Sequence, residues 1–501
     1  MSNLTADELL TLLQQATALQ KQKQYPQAID LFETILQRVP EHPATLFLLG
    51  ITYLNAGKIR AAVDRLTRAV MQEPANADFH NGLGTALRRD GRYSAALDRY
   101  KEALELTPNH DEARFNLADL HMDRGAHAEA LNWYDQALNS NPTLYSAWIN
   151  KGLCHKSLQQ FDKAEACFLK AIQLDRKQPD GHVNLATNRL ITGRYSTAWP
   201  EYAWRFLLPD MQKLLKLVPK GCKRWSGESL QDKHIMVMAE QGFGDNIQFV
   251  RHLPKLKQMG ATVTFIAPTA LFPLFKTISY LDHLQAINTY KPQDNQFDLF
   301  TMLMDLPQWL DITPKTIPNQ VPYLTPDSHY QEKWRDPFDS NNFNVGLVWY
   351  GNTLYHDDPS RRRACTPEAL KELLALPVNG LTFFSLQKGE QEQQIQEYAG
   401  KNLHLLGDKL VDFADTAAVV TQLDLVITID TAMAHLAGAL GKPVWMLTAQ
   451  TPDWRWQTNR DDCDWYPTMT LFRQQNPGDW SYPIKQIIEK LPQHIAREMK
   501  S

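Results

Sequence analysis

Cysteine is scarce in this 501-residue chain, and neither sign of charge dominates. The five cysteines, Cys154, Cys167, Cys222, Cys365 and Cys463, include no C-x-x-C pair, and an odd number cannot pair fully within the chain. Free thiols in a reducing cytoplasm are the expectation. Lys+Arg 52 against Asp+Glu 56 leaves a net charge of −4, which excludes a general nucleic-acid or membrane-surface binder. No apolar run approaches the roughly 18 residues that cross a bilayer, so no membrane span is expected. The opening MSNLTADELLTLLQQ lacks the basic-then-apolar order of a secretory signal, and a cytoplasmic location is expected. The zinc-helix H-E-x-x-H, the G-x-S-x-G elbow and the Walker loop are missing as well, and no metal site stands out. Hydrophobic residues at 43% and charged residues at 22% exclude disorder, collagen and a long coiled coil.

What is present first is a period. Ala28, Ala62, Ala96, Ala130, Ala164 and Ala198 are spaced by 34, as are Phe32, Leu66, Tyr100, Tyr134, Phe168 and Tyr202. Pro40, Pro74, Pro108 and Pro142 form a third series, and Gly50, Gly84 and Gly152 share a register with Ala16, Ala118 and Ala186. Small residues allow two antiparallel helices to approach, an aromatic fills the space between them, and proline ends the second helix. This is the tetratricopeptide signature. It predicts six helix pairs over 9–206, an all-α solenoid whose concave face binds extended partners. The last pair is a variant: GRYSTAWPEYAWRF (193–206) is rich in aromatics and reads as a cap that docks on the next domain. Asn116, Asn150 and Asn184 recur at the sixth repeat position. Asparagine offers both a donor and an acceptor, so such a ladder suits a peptide main chain; equally, asparagine is common at that position. The ladder resembles that of the protein O-GlcNAc transferases, which implies a protein acceptor on the concave face.

From about residue 222 the period changes. Short apolar runs HIMVMAE (234–240), ATVTFIAP (261–268) and FDLFTMLM (297–304) alternate with helical segments, which predicts a parallel sheet with crossover helices. A proline-rich stretch at 313–335 reads as a linker. The pattern then restarts with FNVGLVWYG, LTFFSLQ, LDLVITID and PVWMLTA. Two Rossmann-like lobes are predicted, 222–312 and 336–495, with ligands at the carboxyl ends of their strands.

Two motifs fall at such ends. GFGD (242–245) follows a strand and opens a helix. Gly242 and Gly244 permit close backbone approach, and Asp245 is either a proton acceptor or a helix cap. In ITIDTAMAHLAGALGKPVW (427–445) a strand ends at Asp430, and Thr431 and Ala432 open a small-residue helix suited to phosphate. His435 lies one turn beyond Thr431, as a ligand contact or as a hydrogen-bonded core histidine.

In this order the motifs resemble the heptosyltransferase-like glycosyltransferases, of two-lobed GT-B fold, over roughly 230–490. A subfamily fused to tetratricopeptide repeats is closer still, sharing AEQGFGDNIQF, GLVWYGN, FFSLQKG, DFADTAA and PDWRW; members near flagellin glycosylation loci are thought to modify flagellin. The resemblance implies Asp245 as base and Asp430, Thr431, Ala432 and His435 at the nucleotide diphosphate, with Gly242 and Gly244 in the turn. No counterpart of the family's early second-lobe lysine is found. Asn352 of GLVWYGN, Arg361 and Arg363 of the following HDDPSRRR, and Gln387 and Lys388 of FFSLQKG are instead the donor-side candidates, the arginines as bidentate phosphate ligands or as solvated loop charge. Trp454 of PDWRW offers either a stacking face or core packing. The resemblance therefore implies an inverting, metal-independent transferase with a nucleotide sugar as substrate, no cofactor, and a protein Ser/Thr acceptor. The rival readings are a repeat scaffold with a degenerate transferase domain, and a transferase acting on a carbohydrate or lipid.

Overall fold

A computed structural model describes residues 5–351, 364–398 and 402–499. The chain forms two compact units, Met1–Arg176 and Lys177–Ser501. In the first, ten described helices pair into five antiparallel hairpins, from Ala6–Lys21 with Tyr25–Arg38 to Tyr145–Ser157 with Phe161–Leu174. The repeat chemistry explains each pairing. A Cβ built on Gly50 would lie 2.5 Å from Leu66 Cγ, on Gly84 2.7 Å from Tyr100 Cε1, and on Gly152 2.5 Å from Phe168 Cε1. The small residue of the first helix thus receives the bulky residue of the second, and Phe32, Leu66, Tyr100, Tyr134 and Phe168 are fully buried. The turn prolines present carbonyls that a residue six places on engages: His80 Nε2 to Pro74 at 2.8 Å, Arg114 Nη2 to Pro108 at 2.6 Å, Trp148 Nε1 to Pro142 at 2.9 Å.

Each hairpin turn contains one left-handed residue. Gly57, Gly91 and Gly125 have φ of 75°, but Lys23 and Gln159 hold the same place at 60° and 58°. A side chain there costs about 1–2 kcal/mol, part of which glycine returns as unfolded-state entropy. Lys23→Gly is therefore expected to stabilise the first unit by about 0.5–1 kcal/mol, read as a higher melting temperature by calorimetry. A lower melting temperature would show that the lysine makes a contact that outweighs its backbone strain.

The second unit begins with the sixth hairpin, Pro179–Ile191 and Tyr195–Tyr202, and continues into two parallel sheets. The 34-residue period places that hairpin with the repeats up to 206; the structure assigns it to the α/β unit, because its aromatic side chains are buried there. The first sheet contains β1 (Lys223–Arg224), β2 (His234–Met238), β3 (Thr262–Ala267), β4 (His283–Ala286) and β5 (Leu299–Met302), ordered β1-β5-β2-β3-β4. The second contains β6 (Phe343–Val348), β7 (Leu381–Ser385), β8 (Leu403–Leu405), β9 (Leu425–Ile429), β10 (Val444–Thr448) and β11 (Met469–Arg473), ordered β11-β10-β9-β6-β7-β8. Counted within its own lobe the second order is 3-2-1-4-5-6, the dinucleotide-fold arrangement, whose switch point lies between β6 and β9. Its central strands β6, β9 and β10 are buried along their whole length, as a sheet covered by helices requires. The stretch predicted as a linker contains a short helix, Ser328–Lys333, and Tyr323 and Leu324 donate backbone N–H groups to the Ala439 carbonyl at 2.9 and 3.3 Å. Among the described residues no helix is long and apolar enough to cross a membrane.

Candidate active site

The second motif lies at the β6/β9 switch point. β9 ends at Ile429, and Thr431, in extended conformation, caps the helix Ala432–Ala439, its Oγ1 accepting from Met433 N–H at 3.3 Å. Asp430, Thr431 and Ala432 are half-buried at the carboxyl edge of the sheet. The small residues of this helix serve packing: a Cβ on Gly438 would lie 2.4 Å from the Tyr466 ring. His435 is buried, with Nδ1 2.9 Å from Tyr466 Oη and its ring 5.1 Å from that of Trp456. Of the two readings of His435, this placement is that of the core histidine.

GFGD opens the helix Phe243–Phe249 at the carboxyl end of β2. Asp245 Oδ2 accepts the Gly242 N–H at 2.9 Å, so the carboxylate does cap the turn. A Cβ on Gly244 would lie 2.6 Å from His435 Cδ2 and 3.4 Å from Ala432 Cα. The two motifs, far apart in sequence, therefore touch through a glycine, and nothing larger fits between them.

Three buried arginines, none singled out by sequence, hold this geometry. Arg205, at the end of the sixth hairpin, donates to both oxygens of Glu240 at 2.9 and 2.7 Å and to Asp305 at 2.8 Å. Arg224 donates to the other Asp305 oxygen at 2.9 Å, and Glu240 also accepts the Met304 N–H at 3.0 Å. Glu240 follows β2 and Asp305 follows β5, the two strands that flank the first sheet's switch point, so Arg205 occupies that point. Burial opposes its charge, but Glu240 and Asp305 outweigh this and hold its pKa above the usual arginine value. Arg251 donates to the Gln248, Trp465 and Pro318 carbonyls and to Tyr323 Oη, and stacks between the Tyr323 and Tyr466 rings at 4.3 and 4.6 Å. Beside it, burial and the Arg251 charge push His252 down to about 3. Arg455 pairs with Asp245 through Nη2, with Gln248 Oε1 through Nε, and with Asp453 through Nη1 at 2.8 Å. The only sequence signal for these three was a charge inside an aromatic or apolar run.

The remaining predicted residues take other places. Trp454 is 5% exposed; its ring lies 5.7 Å from Trp199, 5.9 Å from Tyr195 and 6.1 Å from Trp465, near-perpendicular to each. It is core packing between the sixth hairpin and the second lobe, which corrects the stacking-platform reading. Gln387 Oε1 accepts the backbone N–H of Trp349 and Tyr350 at 3.2 and 2.9 Å and so ties β7 to the end of β6. Lys388 Nζ donates to the Leu410 carbonyl at 2.5 Å. Asn352, Arg361 and Arg363 lie outside the described residues. Asn116 donates its amide to Asn81 Oδ1 and Asn150 to Asp119 Oδ1, both at 2.9 Å, while Asn184, in the other unit, donates to the Asp180 carbonyl at 3.0 Å. Asp119 also accepts from Tyr134 at 2.5 Å and from Arg88 at 3.1 Å. The amide donors of Asn116 and Asn150 thus knit neighbouring repeats together. Two candidates absent from the sequence reading stand at the ends of β10 and β11: Thr448 Oγ1 and Gln474 Nε2 are buried and make no hydrogen bond among the described residues. No group of three or more His, Cys, Asp or Glu among those residues could hold a metal ion.

Residues 381–478 match the family model described as glycosyltransferase family 9 (heptosyltransferase), and tetratricopeptide models match 7–70, 47–110, 83–145 and 145–178. The chain thus joins tetratricopeptide repeats to a glycosyltransferase family 9 domain. It is 28% identical over 333 residues to protein FlbA of Caulobacter vibrioides, a match spanning 62% of this chain and 54% of that relative's length. Among solved structures it is similar to TTC0263, a thermophilic repeat protein of Thermus thermophilus, with 23% identity over 36% of this chain and 99% of that one at a TM-score of 0.33. YrrB, described as a repeat protein with an unusual peptide-binding site, matches at 22% identity over 34% of this chain and 88% of that one, TM-score 0.29.

Proposed function

We propose that this protein is an inverting glycosyltransferase that moves a sugar from a nucleotide diphosphate donor to a hydroxyl of a protein acceptor, without a metal ion. The observation that carries the reading is the inequality of the two sheets. The switch point of the first is occupied by Arg205, Glu240 and Asp305. That of the second carries half-buried Asp430 and Thr431 before the Ala432–Ala439 helix, whose first amides and dipole favour an anion. The donor diphosphate belongs at that second edge, with Thr448 and Gln474 on adjoining strand ends supplying hydrogen-bonding groups.

Asp245 stands where the first lobe meets this helix. In the reaction the acceptor hydroxyl loses its proton to Asp245 as its oxygen bonds to the sugar's anomeric carbon. The bond from that carbon to the diphosphate oxygen breaks, and the nucleoside diphosphate leaves with the electron pair, its charge met by helix amides. The repeats supply the acceptor surface; with the amides of Asn116 and Asn150 engaged on their neighbours, their part is to shape that surface, and a serine or threonine of a protein such as flagellin is the substrate we favour.

Thr431 offers the cleanest test of the donor site. Thr431→Val removes the hydroxyl and should weaken binding of UDP, GDP, dTDP or ADP, whichever the protein takes, by about tenfold in titration calorimetry. Thr431→Ser should restore it. Affinity that is unchanged in Thr431→Val places the diphosphate elsewhere.

A further inference from the structure

Arg455 belongs to neither motif, yet its contacts converge on the residue the proposed reaction needs most. Its side chain is 6% exposed and that of Asp245 18%. The guanidinium is a planar fork, and each arm has a defined partner: Nη2 takes Asp245 Oδ1, Nε takes Gln248 Oε1, and Nη1 takes Asp453 Oδ1. The Asp453 carboxylate also accepts the Arg455 backbone N–H at 3.1 Å, so the fork is anchored at its own base. Its flat faces are covered as well, by Trp454 at 4.4 Å and Phe249 at 5.4 Å from the guanidinium carbon. Arg455 and Asp453 lie in the second lobe, Asp245 and Gln248 in the first.

Resting on the proposed reaction, we infer that Arg455 is the positioning residue for Asp245: it fixes the carboxylate in one orientation and keeps it ionised, ready to accept a proton. The geometry divides the work. Among the described residues the Gly242 N–H donates to Oδ2 and the guanidinium to Oδ1, so the two oxygens are held from different sides. Rotation of the carboxylate breaks both bonds at once. A lysine ammonium would supply the charge without the fork, so charge and orientation are separable by substitution.

Among the described residues, the other charged or titratable groups around helix Phe243–Phe249 and Arg455 include Asp453 and Tyr202, which act on Arg455; Asp430 at the head of the facing helix; His435, held by Tyr466; Arg251 and His252 on the helix's own continuation; Tyr323, whose hydroxyl donates to the Ile247 carbonyl; Glu240, held by Arg205; and Asp305, held by Arg205 and Arg224. Among the described residues Arg455 bonds the Asp245 carboxylate directly, so its removal should move Asp245. An opposite charge in contact lowers a carboxyl pKa by about 1–3 units.

The test uses the full chain as Arg455→Gln, Arg455→Lys, Asp245→Asn and the double Asp245→Asn/Arg455→Gln. Melting temperatures at pH 7 are expected to be non-additive, Asp245→Asn costing several degrees less in the Arg455→Gln background than in the wild type. That coupling should fade as the pH is lowered and Asp245 takes up a proton. Turnover is followed as nucleoside diphosphate released from UDP-, GDP- and dTDP-sugars with an acceptor-protein lysate. The acid limb of its pH profile should move up by roughly 1–3 pH units in Arg455→Gln and stay near the wild-type position in Arg455→Lys. Additive melting temperatures, or an acid limb that does not move in Arg455→Gln, overturn the inference. Coupled melting with no turnover of any nucleotide sugar by the wild type would overturn the proposed function, and with it the catalytic use of the pair, while leaving the pair itself demonstrated.

Discussion

Asp245→Asn is expected to lower turnover by about two to four orders of magnitude, the range that a positioned proton acceptor contributes. Asparagine keeps the size of the side chain and an oxygen that can still accept the Gly242 N–H, so the turn should persist. What it loses is the charge that meets Arg455 and the capacity to take the acceptor proton. Nucleotide binding should survive, because Thr431 and the Ala432–Ala439 helix are untouched. Unimpaired turnover in Asp245→Asn would remove the residue from the chemistry and leave it a helix cap. Loss of nucleotide binding instead would mean that the substitution had loosened the contact between Gly244 and His435.

The largest effect on stability is expected at Arg205. Its side chain is 3% exposed, and those of Glu240 and Asp305 are 0% and 1% exposed. Removing one partner of such a group leaves uncompensated buried charge, typically at a cost of about 3–5 kcal/mol. Arg205→Met should therefore lower the melting transition of the second unit strongly in calorimetry. Adding Glu240→Gln should return part of the loss, since one stranded carboxylate is then neutral. A shift worth less than about 1 kcal/mol in Arg205→Met would mean that water or a proton replaces the arginine, and that the first sheet's switch point is not closed by it.

The repeats were legible because their physics is local and periodic. A glycine or alanine in one helix and a bulky residue sixteen places on meet in the hairpins, as Gly50 and Leu66 or Gly84 and Tyr100 do. The alternation of strands and helices after residue 222, and the position of both motifs at strand ends, were legible for the same reason. Partner choice was not. Nothing in the spelling of PDWRW shows that Trp454 meets Tyr195 and Trp199, or that Arg455 meets Asp245. Likewise Asn116 and Asn150 were recognised by type and spacing, but the groups that claim their amides, Asn81 and Asp119, sit in the preceding repeats and outside that register. The period also carried the boundary too far. It runs unbroken through Ala198 and Tyr202, whereas the aromatic substitutions that attach this last hairpin to the sheets are invisible to a pattern that asks only for small and large residues.

That hairpin changes where the α/β unit begins. A fragment cut at residue 222, where the strands begin, would strip Tyr195, Trp199 and Tyr202 from their partners and leave Glu240 and Asp305 without Arg205. One cut at 177 keeps them all. The five hairpins before that residue and the sixth after it therefore answer to different packing demands, the first set by the 34-residue period alone and the last by the side chains of the sheets it joins.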